Sequence, residues 1–327
     1  MGNRQYIIIL AIVIVCSITY SCATITPLDR YKSSKFYKAD LLYQEKEYEK
    51  ALSAVQNLQD AQADPFRIHY NLGKIYAKLE QYDRAAKEYK EALLIKQDIA
   101  QLHKDIGDLY KAKGMHKKAI VEYKKAFNLD KNYLAAKVSL AEIYRNIKKY
   151  DLAIKAYKEA LTITDATLDL YITIGQIYVI MEKYLQAIST YNKALLIDPN
   201  NPIIYNNLGI ALRKKGNYKA AIENLKKASE LAPEDYRAYN NLGIVYQDIG
   251  EYKSALECYS KALKINPMAT DIFLNLGILY DIHIKNKKEA VENYTKYIEL
   301  KGTRSDEVQK WIKTIRESNE IVTNIEQ

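Results

Sequence analysis

The four histidines, His69, His103, His116 and His283, are the side chains best suited to proton transfer or metal binding, and none stands at a metal-ligand or nucleophile spacing from a second such residue. Asp105 and Asp108, three residues apart, share one side of a helix, and a carboxylate pair there reads as a solvated face and not as a general acid and base. Of the 11 glycines, six fall at one recurrent position, three mark turns, and Gly302 and Gly2 lie outside these sets, so none is left to cradle a phosphate. Catalytic residues, metal ligands and a cofactor site are therefore not expected, and the chain is not read as an enzyme.

A second kind of chemistry is present, that of recognition. Asn207, Asn241 and Asn275 recur every 34 residues, and Ile210, Ile244 and Ile278 follow each of them by three. A carboxamide offers both a donor and an acceptor to an extended backbone, and a row of isoleucines can take apolar side chains. The candidate ligand-binding set is Asn206, Asn207, Ile210, Arg213, Arg237, Asn240, Asn241, Ile244, Asn275 and Ile278. The corresponding positions earlier in the chain are more polar and more highly charged: Tyr37, Asn71, Asp105, Ser139 and Thr173 in one row, and Asp40, Lys74, Asp108, Glu142 and Gln176 in the other.

The elements that must position these rows follow from a single ruler. Ala39, Gly73, Gly107, Ala141, Gly175, Gly209, Gly243 and Gly277 stand 34 residues apart without a slip. Three residues after each comes a large side chain, among them Tyr76, Tyr110, Leu212 and Tyr280, which is helical spacing on one face. A turn follows, with Gly114, Gly216 or Gly250 in three cases, and then a second helix carrying Ala85, Ala119, Ala153, Ala187, Ala221 or Ala255 with Tyr89, Tyr123, Tyr157, Tyr191 or Tyr259 four residues after its alanine in all but one of these. Small residues belong where two helices cross closely and large ones fill the space between them. A helical hairpin cannot bury its apolar face alone, so the period implies stacking.

This pattern resembles the tetratricopeptide repeat family over Lys32 to about Lys301, most closely in Tyr205-Asn206-Asn207-Leu208-Gly209 and Tyr239-Asn240-Asn241-Leu242-Gly243, with Pro233 and Pro267 ending second helices. The resemblance implies an all-α fold, a right-handed α-solenoid of eight helix-turn-helix repeats, with first helices lining a concave groove that binds a protein or an extended peptide. A similar asparagine ladder lines the repeats of the O-linked N-acetylglucosamine transferase, where it holds polypeptides; the alternative is that asparagine with a following apolar residue is helix-packing consensus. The carboxylate clamp of chaperone-binding members is not matched, because Lys104 is followed by Asp108 and Ser139 where that clamp has asparagines. Repeat one departs from the pattern at Lys35 and Lys38, which predicts an irregular or solvated first helix, and His283 to Lys288 predicts a turn one residue longer in repeat eight.

The organisation expected is a signal sequence or membrane anchor at 1–23, a linker at 24–31, eight repeats at 32–303 and a capping helix at 304–327. Tyr6 to Val15 is an almost unbroken apolar run after a single charge, Arg4, the layout of an export segment. Three fates compete for it: acylation at Cys22 as a lipoprotein, cleavage after Ala23 with secretion, or retention as an anchor, since Tyr6 to Ala23 is near the shortest helix that spans hydrocarbon. All three put the repeats on the extracytoplasmic side, periplasmic or at the surface, and the first and last attach them to a membrane. After Cys16 and Cys22 only Cys258 remains, so stacking and not disulfides must hold the repeats.

The net charge is +9, and residues 66–167 carry 21 Lys and Arg against 13 Asp and Glu, a balance of +8. The signs are interleaved, which reads as a solvated face, and an anionic partner or membrane surface is the alternative. Neither nucleic acid nor a small-molecule substrate is expected, because the tyrosines that might stack on bases are committed to packing. Near the end of the chain, Ser305 can cap a helix that begins Asp306-Glu307 and carries Val308, Trp311, Ile312 and Ile315 on one stripe, suited to closing the open core of repeat eight.

Overall fold

The computed structural model describes residues 35–58, 63–163 and 167–325. Among them are 17 α-helices and no strand, so the all-α repeat fold expected from the 34-residue period is what forms. The segments 1–23 and 24–31, with Cys22, lie outside the described residues. No helix among the described residues is long and apolar enough to cross a membrane.

The chain divides into two compact units at 163/164. The first holds four hairpins: α1 (Tyr37–Gln44) with α2 (Tyr48–Gln56), α3 (Pro65–Lys78) with α4 (Tyr82–Ile95), α5 (Ala100–Ala112) with α6 (His116–Leu129), and α7 (Leu134–Asn146) with α8 (Tyr150–Ala160). The second holds α9 (Leu168–Ile180) with α10 (Tyr184–Ile197), α11 (Pro202–Lys214) with α12 (Tyr218–Leu231), α13 (Tyr236–Asp248) with α14 (Tyr252–Ile265), α15 (Thr270–Ile278) with α16 (Lys287–Glu299), and then α17 (Ser305–Ile325). Within each unit, first helices of consecutive repeats such as α3 and α5, or α11 and α13, touch one another, whereas second helices do not approach to the same extent. The first helices therefore form the inner wall of each stack.

Local chemistry sets the helix ends. Asp64, Asn201 and Asp235 accept hydrogen bonds from backbone N–H groups in the first turns of α3, α11 and α13, and Pro65 and Pro202 open two of those helices where no N–H is needed. Each hairpin turn places one residue at positive φ: Gly114, Gly216 and Gly250 in three repeats, but Lys46, Glu80, Lys148, Glu182 and Lys285 in the other five. The turn conformation is thus held by the hairpin packing even where no glycine relieves the Cβ clash.

The small-large pairing is direct. A Cβ placed on Gly107 would lie 2.5 Å from the ring of Tyr123, and one on Gly209 would lie 2.5 Å from Leu225, so the ring or branched side chain of the second helix occupies the space that the first helix leaves open. Tyr123, Tyr157, Tyr191, Tyr259 and Tyr294 are fully buried in this way.

Three local expectations are modified. The first helix of repeat one is regular but short, eight residues, and largely solvated: of its own residues only Ala39 is buried, with Phe36 buried just before it. The extra residue of repeat eight does not lengthen the turn; it is absorbed by a π-helical segment, Leu279–Ile284, that continues α15. Ser305 is the first residue of α17 and not the residue before it, and its hydroxyl donates to the carbonyl of Gly302 at 2.6 Å. Helix α17 nevertheless buries Val308, Ile312 and Ile315 against Ala290, Tyr294 and Tyr297, with the Trp311 ring 5.5 Å from that of Tyr294.

Candidate functional site

In the second unit the asparagines form rungs between consecutive first helices. Asn241 Nδ2 donates to Asn206 Oδ1 at 2.8 Å, Asn275 Nδ2 donates to Asn240 Oδ1 at 3.0 Å, and Asn240 Nδ2 donates to Asp271 Oδ2 at 3.0 Å. A carboxylate only accepts, so Asp271 fixes which way the Asn240 amide points, and Asn240 in turn fixes Asn275. Both Asn241 and Asn275 keep an Oδ1 that takes no donor from the described residues, and both are half-buried.

The expected row of equivalent amides is therefore uneven. Asn207 Nδ2 is buried without a partner among the described residues. The rung joins each asparagine to the residue 35 positions earlier, and for Asn207 that residue is Ile172, which has no acceptor. Asn71 is in the same state, buried with its Nδ2 unpartnered, and the residue 35 positions before it is Phe36.

The remaining members of the set fall in three environments. Ile210, Ile244 and Ile278 are half-buried, Ile244 packing beside the Tyr259 cluster and Ile278 beside Tyr294 and Trp311. Arg213 reaches across to Asp248 of the next repeat at 2.6 Å, which strengthens the join between those repeats. Arg237 turns back onto Asp235 at 2.6 Å in the first turn of α13 and stays largely exposed, and this hydrogen bond holds the Asp235 carboxyl below its usual range.

The first unit carries an inner groove that sequence reasoning did not single out, an open cavity of about 680 Å³ lined by Tyr43, Tyr70, Lys74, Tyr89, Lys104 and Asp105 among others. Here Asp105 is not a solvated helix face, as its spacing from Asp108 had suggested. Its side chain is 13% exposed and accepts from Tyr70 Oη at 2.7 Å and Gln101 Nε2 at 2.9 Å. Burial raises the Asp105 carboxyl above the usual carboxylate range in spite of these donors. Tyr70 and Asp105 are again 35 residues apart, so the rung that joins asparagines in one unit joins a phenol to a carboxylate in the other. That spacing was the available signal.

Asp108 accepts from Lys104 Nζ and from Tyr123 Oη, both at 2.7 Å. For Lys104, burial lowers the pKa, but the hydrogen bond and charge of Asp108 outweigh it and leave the ammonium favoured. Burial, with the charges of Tyr48 and Asp105, pushes the Tyr43 phenol up to about 12, and Tyr70 and Tyr89 are also raised, mainly by burial.

Two of the histidines, His103 and His69, join helices. His103 is buried with Nδ1 2.7 Å from Glu122 and Nε2 2.9 Å from the carbonyl oxygen of Gln97, and His69 Nδ1 lies 2.7 Å from Glu88. Each ties a first helix to the second helix of its own repeat. No group of three His, Cys, Asp or Glu residues able to hold a metal ion occurs among the described residues.

Models of the tetratricopeptide repeat match residues 66–99, 101–133, 134–167, 175–216, 200–268 and 240–304. Among solved structures, the C-terminal part of a TPR repeat-containing protein from Cytophaga hutchinsonii superposes with a TM-score of 0.63 at 21% identity, covering 74% of this chain and 99% of that one. A tetratricopeptide repeat protein from Parabacteroides merdae superposes with a TM-score of 0.61 at 14% identity, covering 78% and 100%. At such identities the likeness is one of fold. Cell division cycle protein 27 homolog A of Arabidopsis thaliana is 37% identical over 59 residues, 18% of this chain and only 8% of that protein's length.

Proposed function

The chain belongs to the tetratricopeptide repeat family, and from that membership we propose that it is a non-catalytic scaffold that holds an extended segment of a partner protein against its inner helices, tethered to the extracytoplasmic side of a membrane by its N-terminal segment. Repeats of this kind suggest a protein-protein interaction role in general. The observation that carries the finer reading is the Asp271–Asn240–Asn275 chain, in which each amide is oriented by its neighbour so that the Asn275 Oδ1 is left as a fixed acceptor. Asn241, oriented against Asn206, leaves another in the preceding repeat. Fixed acceptors on successive first helices suit the regularly spaced N–H groups of an extended chain, and the half-buried isoleucines beside them suit its apolar side chains.

The test begins with crosslinking and mass spectrometry in cells to recover the partner, followed by affinity and thermal melting of Asn207→Ala/Asn241→Ala/Asn275→Ala. Each neutral hydrogen bond is worth about 0.5–1.5 kcal/mol, so binding per folded molecule is expected to weaken by roughly tenfold to a thousandfold. Binding unchanged per folded molecule would assign the row to helix packing alone and favour an assembly subunit that works through its outer face.

The tether is tested separately. Cys22→Ala is expected to move the protein from membrane to soluble fractions or to block its processing, while Cys16→Ala leaves both unchanged. Recovery of an unmodified chain beginning at Met1 would reject acylation in favour of a retained anchor, and a chain beginning at Thr24 would indicate secretion.

A further inference from the structure

We propose that the inner groove of the first unit receives an acidic side chain of an extended protein segment, with Lys74 as its charge partner and Lys78 beside it. This goes beyond the asparagine row and involves none of its residues; it shares with that reading only the idea that inner faces hold protein.

The groove's own anions are already committed. Asp105 accepts from Tyr70 and Gln101 and lies 3.8 Å from Lys104, while Asp108 accepts from Lys104 and Tyr123. Of its three lysines, Lys104 is committed to Asp108, and Lys74 and Lys78 are not so paired. Lys74 is half-buried, and its Nζ hangs over the rings of Tyr43 at 4.6 Å and Tyr70 at 5.4 Å, with no carboxylate within ion-pair distance among the described residues. Lys78, one turn on, lines the same groove, is exposed, and likewise makes no ion pair among the described residues.

Other inward or cross-repeat lysines of this unit do find partners: Lys104 with Asp108, Lys111 with Glu142, Lys113 with Asp83 and Lys137 with Glu159. An ammonium held over aromatic faces is ordered and only partly hydrated, a state that favours an incoming anion. Tyr43, Tyr70, Tyr82 and Tyr89 supply a wall for the neighbouring side chains of the same segment.

The pattern of charge selects the kind of anion. A nucleic acid presents a continuous line of phosphates and would meet Asp105 and Asp108 within the span of the groove, which repel it. An anionic membrane surface is flat and would reach exposed Lys78 but not half-buried Lys74 over its two rings. One or two carboxylates on an extended backbone can reach Lys74 and Lys78 while keeping clear of the acidic wall.

The experiment uses the full chain in detergent, probed with an array of labelled decapeptides of varied sequence, a matched array with every Asp and Glu changed to Asn and Gln, and a third with phosphoserine in place of each acid. Acidic peptides are expected to bind about threefold to tenfold better than their amide counterparts near 0.1 M salt, a preference that falls as salt rises towards 0.5 M. Lys74→Gln/Lys78→Gln should lose the preference and Lys74→Arg/Lys78→Arg should retain it, both with helical content unchanged by circular dichroism. If the glutamine double variant loses helicity, Lys78→Gln alone, at an exposed position, must still reduce the preference. The proposal is overturned by equal retention of acidic and amide peptides, by an acid preference that survives both glutamine variants, by retention of phosphoserine peptides without their carboxylate counterparts, or by no retention at all. The asparagine variants of the second unit are expected to leave this preference intact, so failure here and failure there are separable.

Discussion

Asn207 and Asn275 hold the same place in their repeats, yet the amide nitrogen of Asn275 has a partner and that of Asn207 does not. The difference was invisible in the 34-residue period, because it depends on the residue 35 positions earlier, Ile172 for one and Asn240 for the other. Asn275→Ala should orphan the Oδ1 of Asn240, a residue only 7% exposed, and cost about 1–2 kcal/mol in urea unfolding. Asn207→Ala removes a donor that is already unpaired and should change stability by less than about 0.5 kcal/mol. Equal losses for the two variants would mean that the rung contributes nothing. Asp105 obeys the same offset. Its carboxyl is raised above the usual range, so the folded chain holds that proton more tightly than the unfolded chain does, and Asp105 adds stability as pH falls through the region just above the ordinary carboxylate value. The melting temperature of the native chain relative to Asp105→Asn should therefore rise between pH 6 and pH 4. A difference that stays flat or falls over that range would show that burial does not govern this group.

At the scale of the helices, most of the fold could be read in advance because the close crossings demand particular residue sizes. Gly73, Gly107, Gly175, Gly243 and Gly277 each lie against a buried tyrosine of the second helix, and Gly209 lies against Leu225, as the small-large alternation implied. What the alternation could not give was how the extra residue of repeat eight is accommodated. Inserting a residue in a turn or widening one helical turn leaves the same spacing in the sequence, and packing of Leu279, fully buried in the π-helical segment, accompanies the second solution. The crossing itself can be tested at Gly107. The Tyr123 ring is fully buried and its hydroxyl is tied to Asp108, so it has little room to yield to a methyl group 2.5 Å away. Gly107→Ala is expected to lower stability by about 1–3 kcal/mol despite alanine's better helix propensity. A gain in melting temperature would show that propensity wins and that the crossing is loose.

For the molecule as a whole, a stack of hairpins has a weakness that a closed core lacks, in that its last hairpin has one face without a successor. Here α16 carries Ala290, Tyr294 and Tyr297 on that face, and α17 covers them with Val308, Ile312 and Ile315, each nearly or fully buried. The amphipathic stripe of α17 was legible from its 3–4 spacing; the hydrogen bond from the Ser305 hydroxyl to the Gly302 carbonyl was not, because it depends on how the chain turns between α16 and α17. Each aliphatic side chain removed from the cover forfeits about 1.5–3 kcal/mol of burial, and the tyrosines beneath would be laid open as well. Stopping the chain after residue 303 should therefore lower the calorimetric melting transition and produce concentration-dependent association on size exclusion, as exposed tyrosine faces pair between molecules. Trp311→Ala, which trims the half-buried edge of the same cover, should lower melting by a smaller amount and leave the chain's association state unchanged. If the shortened chain melts with the full one and elutes without association, then α17 is not what closes the stack, and its apolar stripe must be assigned to a partner instead.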